Sequence, residues 1–513
     1  MPNIDIHDKI KSLEELNKIA TDLRVQNKVI VHCHGVFDLV HPGHIRHFYS
    51  AKKQGDVLFL TLTADEFVKR GPGRPIFNQN IRAETLAALS VSDYVGIVFE
   101  PTAKSAIQSI RPNFYAKGPD YKDKDKDITG QISADEETVT NCGGQLLITN
   151  DSAFSSSKLI NNHLDVYPSE VLDFLQKFAQ QYSSTYITEQ INNMMNLRIL
   201  VIGDSIIDQY HYCSTMNKTG KEPLVANKYI SNESFAGGAI ATANHIGNIC
   251  SNVTLFTILG RKDSWEDFIR KQTEQTGIKL SLFYRDDAET TVKRRFISDT
   301  NNRKLFEICF MNDNPISELV ENDIVLDLEE KIHDYDLVIV NDFGHGFLTP
   351  RIIDVICKKA NKLALNVQTN SANTGFNLIT KYSKADFICV DEIELRYATH
   401  DRFSSLDTLM REIQTKMNCA LMITTRGPKG TFSFSAPNNF YNTPALADKV
   451  IDAVGAGDAL FAYAAPAFAS NVPHEVISFV GNAVGAIAVQ IMGNRDSVKK
   501  IDVLKFITRL LNQ

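Results

Sequence analysis

At 513 residues the chain exceeds the roughly 250 to 300 residues at which single hydrophobic cores stop growing, so two or three domains are expected. Hydrophobic residues make up 43% and charged residues 22%, a globular composition that excludes a disordered or fibrous chain. A formal charge of -7 offers no footprint for a nucleic-acid backbone, and no run of about 18 apolar residues occurs, so small phosphorylated ligands held at local sites are expected rather than nucleic acid or membrane. The eight cysteines form no C-x-x-C pair, and the first residues lack a basic segment followed by an apolar one, which points to reduced thiols and a cytoplasmic location. These features do not set an oligomeric state, and a homo-oligomer is compatible with them.

The first predicted element is an amphipathic helix over 12–24, with Leu13, Leu16, Ile19, Ala20 and Leu23 at helical spacing behind Ser12 as N-cap. An apolar strand over Val29 to His32, a glycine-containing turn, a helix from about residue 43 and a buried strand over Val57 to Thr63 then read as a parallel α/β unit. Further strands are expected at Tyr94 to Phe99, Phe114 to Ala116 and Gln145 to Thr149, completing a domain over 1–165. Residues 166–195 read as a helical linker ending in a polar stretch. A second and larger α/β domain over 196–513 opens with the strand Leu197 to Ile202, with strong strands at Leu337 to Val340, Ala385 to Val390 and Leu421 to Thr424. The alternating run from Lys122 to Asp127 reads as a solvated loop, because its charges cancel at short range.

Two constellations carry chemistry. In Gly35 to His44, GVFDLVHPGH, two histidines three apart straddle the start of a helix that directly follows a strand. Backbone N–H groups and the helix dipole receive phosphates at such a junction, and His41 and His44 can donate to the same phosphate, with Gly43 permitting close approach. The segment resembles the HxGH nucleotidyltransferases, a cytidylyltransferase-like family with a Rossmann-like fold. In that family a substrate phosphate or phosphorylated alcohol attacks the α-phosphorus of a nucleoside triphosphate and releases pyrophosphate. The resemblance extends to KRGPGRP (Lys69 to Pro75), KGPDYK (Lys117 to Lys122) and FSSSKLI (Phe154 to Ile160), and is nearest to the adenylyltransferase half of bifunctional heptose-phosphate kinase and adenylyltransferases. It implies nucleotide contacts from Gly35, Phe37, Asp38, Gly43, Lys69 and Arg74, and a helix N-terminus at Ser155, Ser156 and Ser157 facing phosphates. The R-T-E-G-I-S-T motif of glycerol-phosphate cytidylyltransferases is replaced by NDSAFSSSK, without its arginine.

In Asp452 to Phe461, DAVGAGDALF, small residues leave the N–H groups of Gly455, Ala456 and Gly457 open to a transferring phosphoryl group, with Asp458 as base for the attacking hydroxyl. The domain resembles the PfkB or ribokinase family over its whole length, and within it heptose 7-phosphate kinase. This implies a ribokinase-like α/β fold, ATP as phosphoryl donor, sugar contacts from Asp208, Gly237, Gly238 and Asn244, and a nucleotide loop at Thr425, Gly427 and Gly430. Lys293, Arg294 and Arg295 form a basic run that either grips a phosphate already on the sugar or is an exposed strand face. The family's N-x-x-E magnesium motif stands here as Asp391-x-x-Glu394, and its D-P-K stretch as NVQTNSANTGFN (Asn366 to Asn377).

Together the resemblances imply a bifunctional α/β enzyme in which the second domain phosphorylates a sugar phosphate at its anomeric hydroxyl with ATP and Mg2+. The first domain then makes an NDP-sugar, an ADP-heptose, for surface polysaccharide. The domain order is reversed relative to the usual fusion. A CTP-dependent route to a CDP-linked sugar or polyol, and a degenerate regulatory domain, are the alternatives that these departures leave open.

Overall fold

The computed structural model describes residues 6–68, 74–118, 131–149, 167–218, 224–300, 303–437 and 439–511. Lys69, Ser155, Ser156, Ser157 and the run from Lys122 to Asp127 lie outside the described residues. The chain divides into two compact units, Met1–Pro168 with Leu504–Gln513, and Ser169–Val503.

In the first unit the Leu13–Val25 helix begins at Ser12, whose hydroxyl accepts from the Glu15 N–H while the Glu15 carboxylate accepts from the Ser12 N–H. Five parallel strands follow: β1 (Ile30–Gly35), β2 (Val57–Thr63), β3 (Tyr94–Val98), β4 (Phe114–Lys117) and β5 (Gln145–Ile148). Their order is β3-β2-β1-β4-β5. The chain winds outward from β1 in one direction and returns to β4 on its other side, so the carboxyl ends of β1 and β4 flank a topological switch point, where ligands of open α/β sheets bind. The strands read as continuous apolar runs because helices cover both faces. Leu58, Leu60 and Leu62 pack toward Phe48 and Leu86, while Phe59 packs with Leu16 on the opposite face.

The second unit begins with helices Ser169–Gln181 and Ser184–Asn193. Phe178 stacks on Phe479 with centroids 4.2 Å apart, and Phe174 lies against Tyr441. The strands of this unit are β6 (Arg198–Gly203), β7 (Ser205–Lys218), β8 (Val225–Gly237), β9 (Asn252–Lys262), β10 (Lys279–Glu289), β11 (Thr291–Ser298), β12 (Lys304–Phe310), β13 (Leu337–Asp342), β14 (Leu363–Val367), β15 (Phe387–Asp391), β16 (Leu421–Thr425), β17 (Thr431–Ser435) and β18 (Asn439–Thr443). Nine of them form one sheet, β10-β9-β6-β13-β14-β15-β16-β17-β18, parallel except for β17, which runs opposite to both its neighbours, and a separate four-stranded sheet has the order β12-β11-β7-β8. Side chains alternate along β13, so Val338 and Val340 enter the large apolar core on one face of the sheet while Asn341 turns to the other. On that second face Asn341 is paired in register with Gly203 of β6 and Asn366 of β14, and the helices Gly238–Gly247 and Ala456–Ala469 pack there.

Candidate active sites

At the end of β1 the backbone must leave the sheet and enter the Pro42–Lys52 helix within six residues. Phe37 takes a left-handed conformation (φ 49°) and drives its ring into the core, edge-on to His44 at 5.4 Å and to Phe48 at 5.2 Å. The loop is clamped from behind by Arg82, which is 1% exposed and donates to the carbonyls of Val36 (2.6 Å), Thr63 (2.9 Å) and Phe77 (2.9 Å) and to Asp65. A buried guanidinium is tolerated only when its donors are met, and here four acceptors meet them. Asp38 is also structural, because its Oδ1 accepts from the N–H groups of Ile76 (2.6 Å) and Phe77 (3.3 Å) and ties down the segment that carries Arg74.

His41 is the N-cap of this helix, with Nδ1 accepting from the Gly43 N–H at 3.1 Å. An accepting Nδ1 puts the ring proton on Nε2 in the neutral tautomer. Burial lowers the His41 pKa, so the ring is a neutral donor at pH 7. His44, one turn on, stacks against it with centroids 4.0 Å apart and planes 24° from parallel. Two further histidines escaped the sequence reading. His34 bridges Thr61 (2.9 Å) and Thr63 (3.2 Å), and His47 bonds Thr149 at 2.9 Å. Lys117, at the carboxyl end of β4, faces Asp135 at 3.5 Å.

In the second unit Asp458 lies in the first turn of the Ala456–Ala469 helix, whose N-cap is Gly455. Its side chain is 7% exposed, and its Oδ1 accepts from Gln368 Nε2 at 2.7 Å. Burial raises its pKa, the Gln368 hydrogen bond opposes this, the Asp208 charge adds to it and Lys293 subtracts; the balance stands at about 7. Of the three amides ahead of it, that of Ala456 already leans on the Ala453 carbonyl at 3.4 Å, whereas Gly457 has open space where a Cβ would stand. The loop is anchored by Asp452, a residue the motif reading passed over. Its carboxylate accepts from Tyr210 (2.6 Å), Lys304 (2.7 Å) and the N–H groups of Gly493 (3.0 Å) and Val454 (3.2 Å). Burial alone would raise its pKa, but the bonds from Lys304 and Tyr210 more than offset this and hold it below the usual value.

Asp208 and Lys293 are register partners on neighbouring strands and share one face. Arg295 lies on that face too, but it is ion-paired with Asp208 and with Glu307 (2.7 Å). Arg294 points to the other face, donating to Gln209 (2.9 Å) with its guanidinium over Phe310 at 4.7 Å. Strand alternation therefore splits the basic run, leaving Lys293 as its member near Asp458 without a carboxylate pair among the described residues. A side chain at Gly237 would meet Asp208 Oδ2 at 2.3 Å and displace that carboxylate, and one at Gly238 (φ 57°) would meet the Asp204 carbonyl at 2.5 Å, so Gly238 requires glycine. Asn244, two turns along the same helix, accepts from Thr276 (3.0 Å) rather than engaging Asp208. Thr425 ends β16, and the Arg426 N–H closes the turn onto the Gly430 carbonyl at 2.9 Å through a 3-10 turn that starts at Gly427.

Asp391 and Glu394 have a local role that the sequence reading did not assign. They form a capping box for the Glu392–Thr399 helix, with Glu394 also accepting from the Thr369 N–H at 3.1 Å. Burial raises the Glu394 pKa to about 7 against the opposing backbone bonds from Asp391 and Thr369.

The family model described as pfkB family carbohydrate kinase matches residues 196–501, more than half of the chain. The chain belongs to that family. The cytidylyltransferase-like family model matches residues 32–190 of this pfkB-family chain. The bifunctional protein HldE of Aliarcobacter butzleri (strain RM4018) is 45% identical over 129 residues, covering 25% of this chain and 27% of that protein. The bifunctional protein HldE of Campylobacter jejuni subsp. jejuni serotype O:2 is 38% identical over 167 residues, covering 32% and 33%. Each alignment thus spans about a quarter to a third of the length of these curated relatives. Among solved structures, Escherichia coli phosphofructokinase-2 in complex with substrates and products aligns at 14% identity with a TM-score of 0.50, over 61% of this chain and 99% of that one. The ribokinase-like fold is common to both.

Proposed function

We propose that this chain is a bifunctional sugar-nucleotide enzyme. Its pfkB unit phosphorylates a heptose phosphate at the anomeric hydroxyl with ATP, and its cytidylyltransferase-like unit converts the resulting 1-phosphate and a second ATP into an ADP-heptose and pyrophosphate. The observation that carries this reading is the presence of two separate motif sites of opposite chemical character, a pair of stacked imidazoles of which burial keeps His41 neutral, and a buried carboxylate with a pKa of about 7. The likeness to HldE proteins supports the pairing of the two activities.

In the kinase step Asp458 takes the proton from the attacking hydroxyl, while the Gly455, Ala456 and Gly457 amides receive the γ-phosphoryl oxygens at a helix N-terminus. Asp208 and the Gly237–Gly238 backbone hold sugar hydroxyls, and Lys293 approaches a phosphate already on the sugar. Thr425, Gly427 and Gly430 border the nucleotide. In the transferase step the nucleophile is a phosphate that is already ionised, so no base is needed. His41 and His44 donate to the α-phosphate as charge builds on it, with Arg74 and Lys69 serving the remaining phosphates.

Magnesium belongs to this proposal. Asp391 and Glu394 already accept backbone hydrogen bonds, and among the described residues no three His, Cys, Asp or Glu side chains are grouped to cage a metal. That donor set fits an ion that keeps most of its waters and is held largely by substrate phosphates, where it neutralises phosphate charge. No helix among the described residues is long and apolar enough to cross a membrane, and all eight cysteines are free thiols, which suits a cytoplasmic enzyme supplied with ATP.

The test follows phosphorus resonances of the full chain supplied with a heptose 7-phosphate, ATP and magnesium. A sugar 1-phosphate signal should rise first and give way to a pyrophosphate diester. A transferase that ignores the isolated kinase product with every triphosphate offered would sink the consecutive scheme.

A further inference from the structure

The stretch Asn366 to Asn377, where the sequence departs from the heptose kinase pattern, supplies the hydrogen bond to Asp458. Gln368 is half-buried just beyond β14, and its backbone is held at both ends: its N–H donates to the Asp342 carbonyl at 2.8 Å, and its carbonyl accepts from Asn377 Nδ2 at 2.9 Å. Its side-chain nitrogen donates to two acceptors at 2.7 Å each, Asn366 Oδ1 and Asp458 Oδ1. Asn366 is fixed in turn, because its Nδ2 donates to the Cys389 carbonyl at 2.9 Å inside the sheet. The chain of donors therefore runs one way, from Asn366 Nδ2 into β15 and from Gln368 Nε2 onto Asn366 and Asp458. Reversing either amide would set oxygen against oxygen, so the pattern itself orients both groups.

We infer that Gln368 is a positioning residue for the kinase step, holding Asp458 Oδ1 so that Oδ2 is the oxygen that receives the hydroxyl proton. The inference rests on the kinase reading above. In that step the substrate O–H bond breaks, its proton passes to Asp458 Oδ2, the oxygen bonds to the γ-phosphorus and ADP leaves with the electron pair of the broken P–O bond. A carboxylate at a helix N-terminus can rotate about its Cβ–Cγ bond, which would present either oxygen. A donor fixed by the sheet removes that freedom. Because the bond favours the ionised form, Gln368 also keeps Asp458 usable as a base at neutral pH. The other groups that act on Asp458 electrostatically are Asp208 on β7, Lys293 on β11, and Cys389 and Glu394 at the end of β15 and the helix after it. None of these donates the hydrogen bond that Gln368 supplies.

The decisive measurement needs no substrate. In the full chain with 13C-carboxyl-labelled aspartate, the Asp458 resonance is identified by its loss in Asp458→Asn, and its titration midpoint is compared between wild type and Gln368→Met, which keeps length and lacks the donor. The midpoint should rise by about one pH unit or more. Kinase kcat at pH 7 should fall about fivefold from lost ionisation alone, with KM for both substrates within about twofold. Asn366→Ala, which retains Gln368 but frees its amide to flip, should move the midpoint the same way, and it serves if Gln368→Met does not fold. An unmoved midpoint, or a rise in KM with kcat unchanged, overturns the inference. A wild type that transfers no phosphoryl group to any sugar phosphate would instead sink the kinase reading, and the titration would still decide whether Gln368 controls Asp458.

Discussion

Both units carry their motif side chains at the start of a helix, one directly behind the parallel strand β1 and the other behind a loop that follows β18, yet the two helix starts are made of different material. At the end of β1 two imidazoles stack 4.0 Å apart, and burial keeps His41 neutral. At the head of the Ala456–Ala469 helix a single carboxylate is buried until its pKa stands at about 7. On the proposed function the nucleophiles explain the difference. A phosphate attacking a nucleotide arrives ionised and needs only donors for the charge that develops, whereas a sugar hydroxyl must lose a proton and needs a base. The supports differ in the same sense: a buried cation, Arg82, gathers three carbonyls behind the histidine loop, and a buried anion, Asp452, gathers four donors behind the aspartate loop.

The comparison is broken most sharply by Asp458→Asn, which keeps shape and removes basicity. Kinase turnover should fall by roughly 100-fold to 10,000-fold, the scale of general-base catalysis, while nucleotidyl transfer to synthetic 1-phosphate persists. Unchanged ADP release would remove Asp458 from the mechanism. His44→Ala is the mirror experiment. Loss of one donor to a developing oxyanion costs roughly 100-fold to 1,000-fold, so pyrophosphate release should drop on that scale with kinase turnover near wild type. Equal loss of both activities would show that the two sites are not independent.

A smaller effect separates the sites by pH. As the proposed base Asp458 would have to be ionised, and burial has raised its pKa to about 7, so kinase kcat should fall as pH drops through 7, by about tenfold between pH 8 and pH 6. The transferase, whose proposed nucleophile needs no base, should not share this loss of turnover on acidification. Parallel profiles would contradict the assignment of one base and one donor pair. The mildest perturbation is Tyr210→Phe, which leaves Asp452 with three of its four donors. It should destabilise the second unit by about 1 to 2 kcal/mol, read as a lower denaturant midpoint for that unit with the first unit's transition unmoved.

Much of the fold was legible in the sequence because its signals are local. Residues 57–63 are a strand with the boundaries that the apolar run suggests, Ser12 caps its helix as its side chain predicts, and the HxGH and GAGD motifs stand at helix starts. Pattern reading went less far where one residue type serves two purposes. An aspartate and a glutamate three apart suit a metal site and equally a capping box, and Asp391 and Glu394 do form the box, a local role that the motif did not announce. Three consecutive basic residues look like a cluster, but a strand sends alternate side chains to opposite faces, and Arg295 meets Asp208 and Glu307 while Arg294 meets Gln209.

What the sequence determined by itself, then, is whatever a short stretch of chain encodes alone: periodicity sets strand or helix, small residues permit a tight turn, and HxGH or GAGD fixes which side chains stand at a helix start. The tertiary structure decided which groups share a site and in what protonation state. Gln368 reaches Asp458 across 90 positions and Tyr210 reaches Asp452 across 242, contacts that no local pattern announces. The physical reason is that hydrogen bonding and desolvation depend on distance in space and on exclusion of water, and both are set only when the sheets and helices have packed.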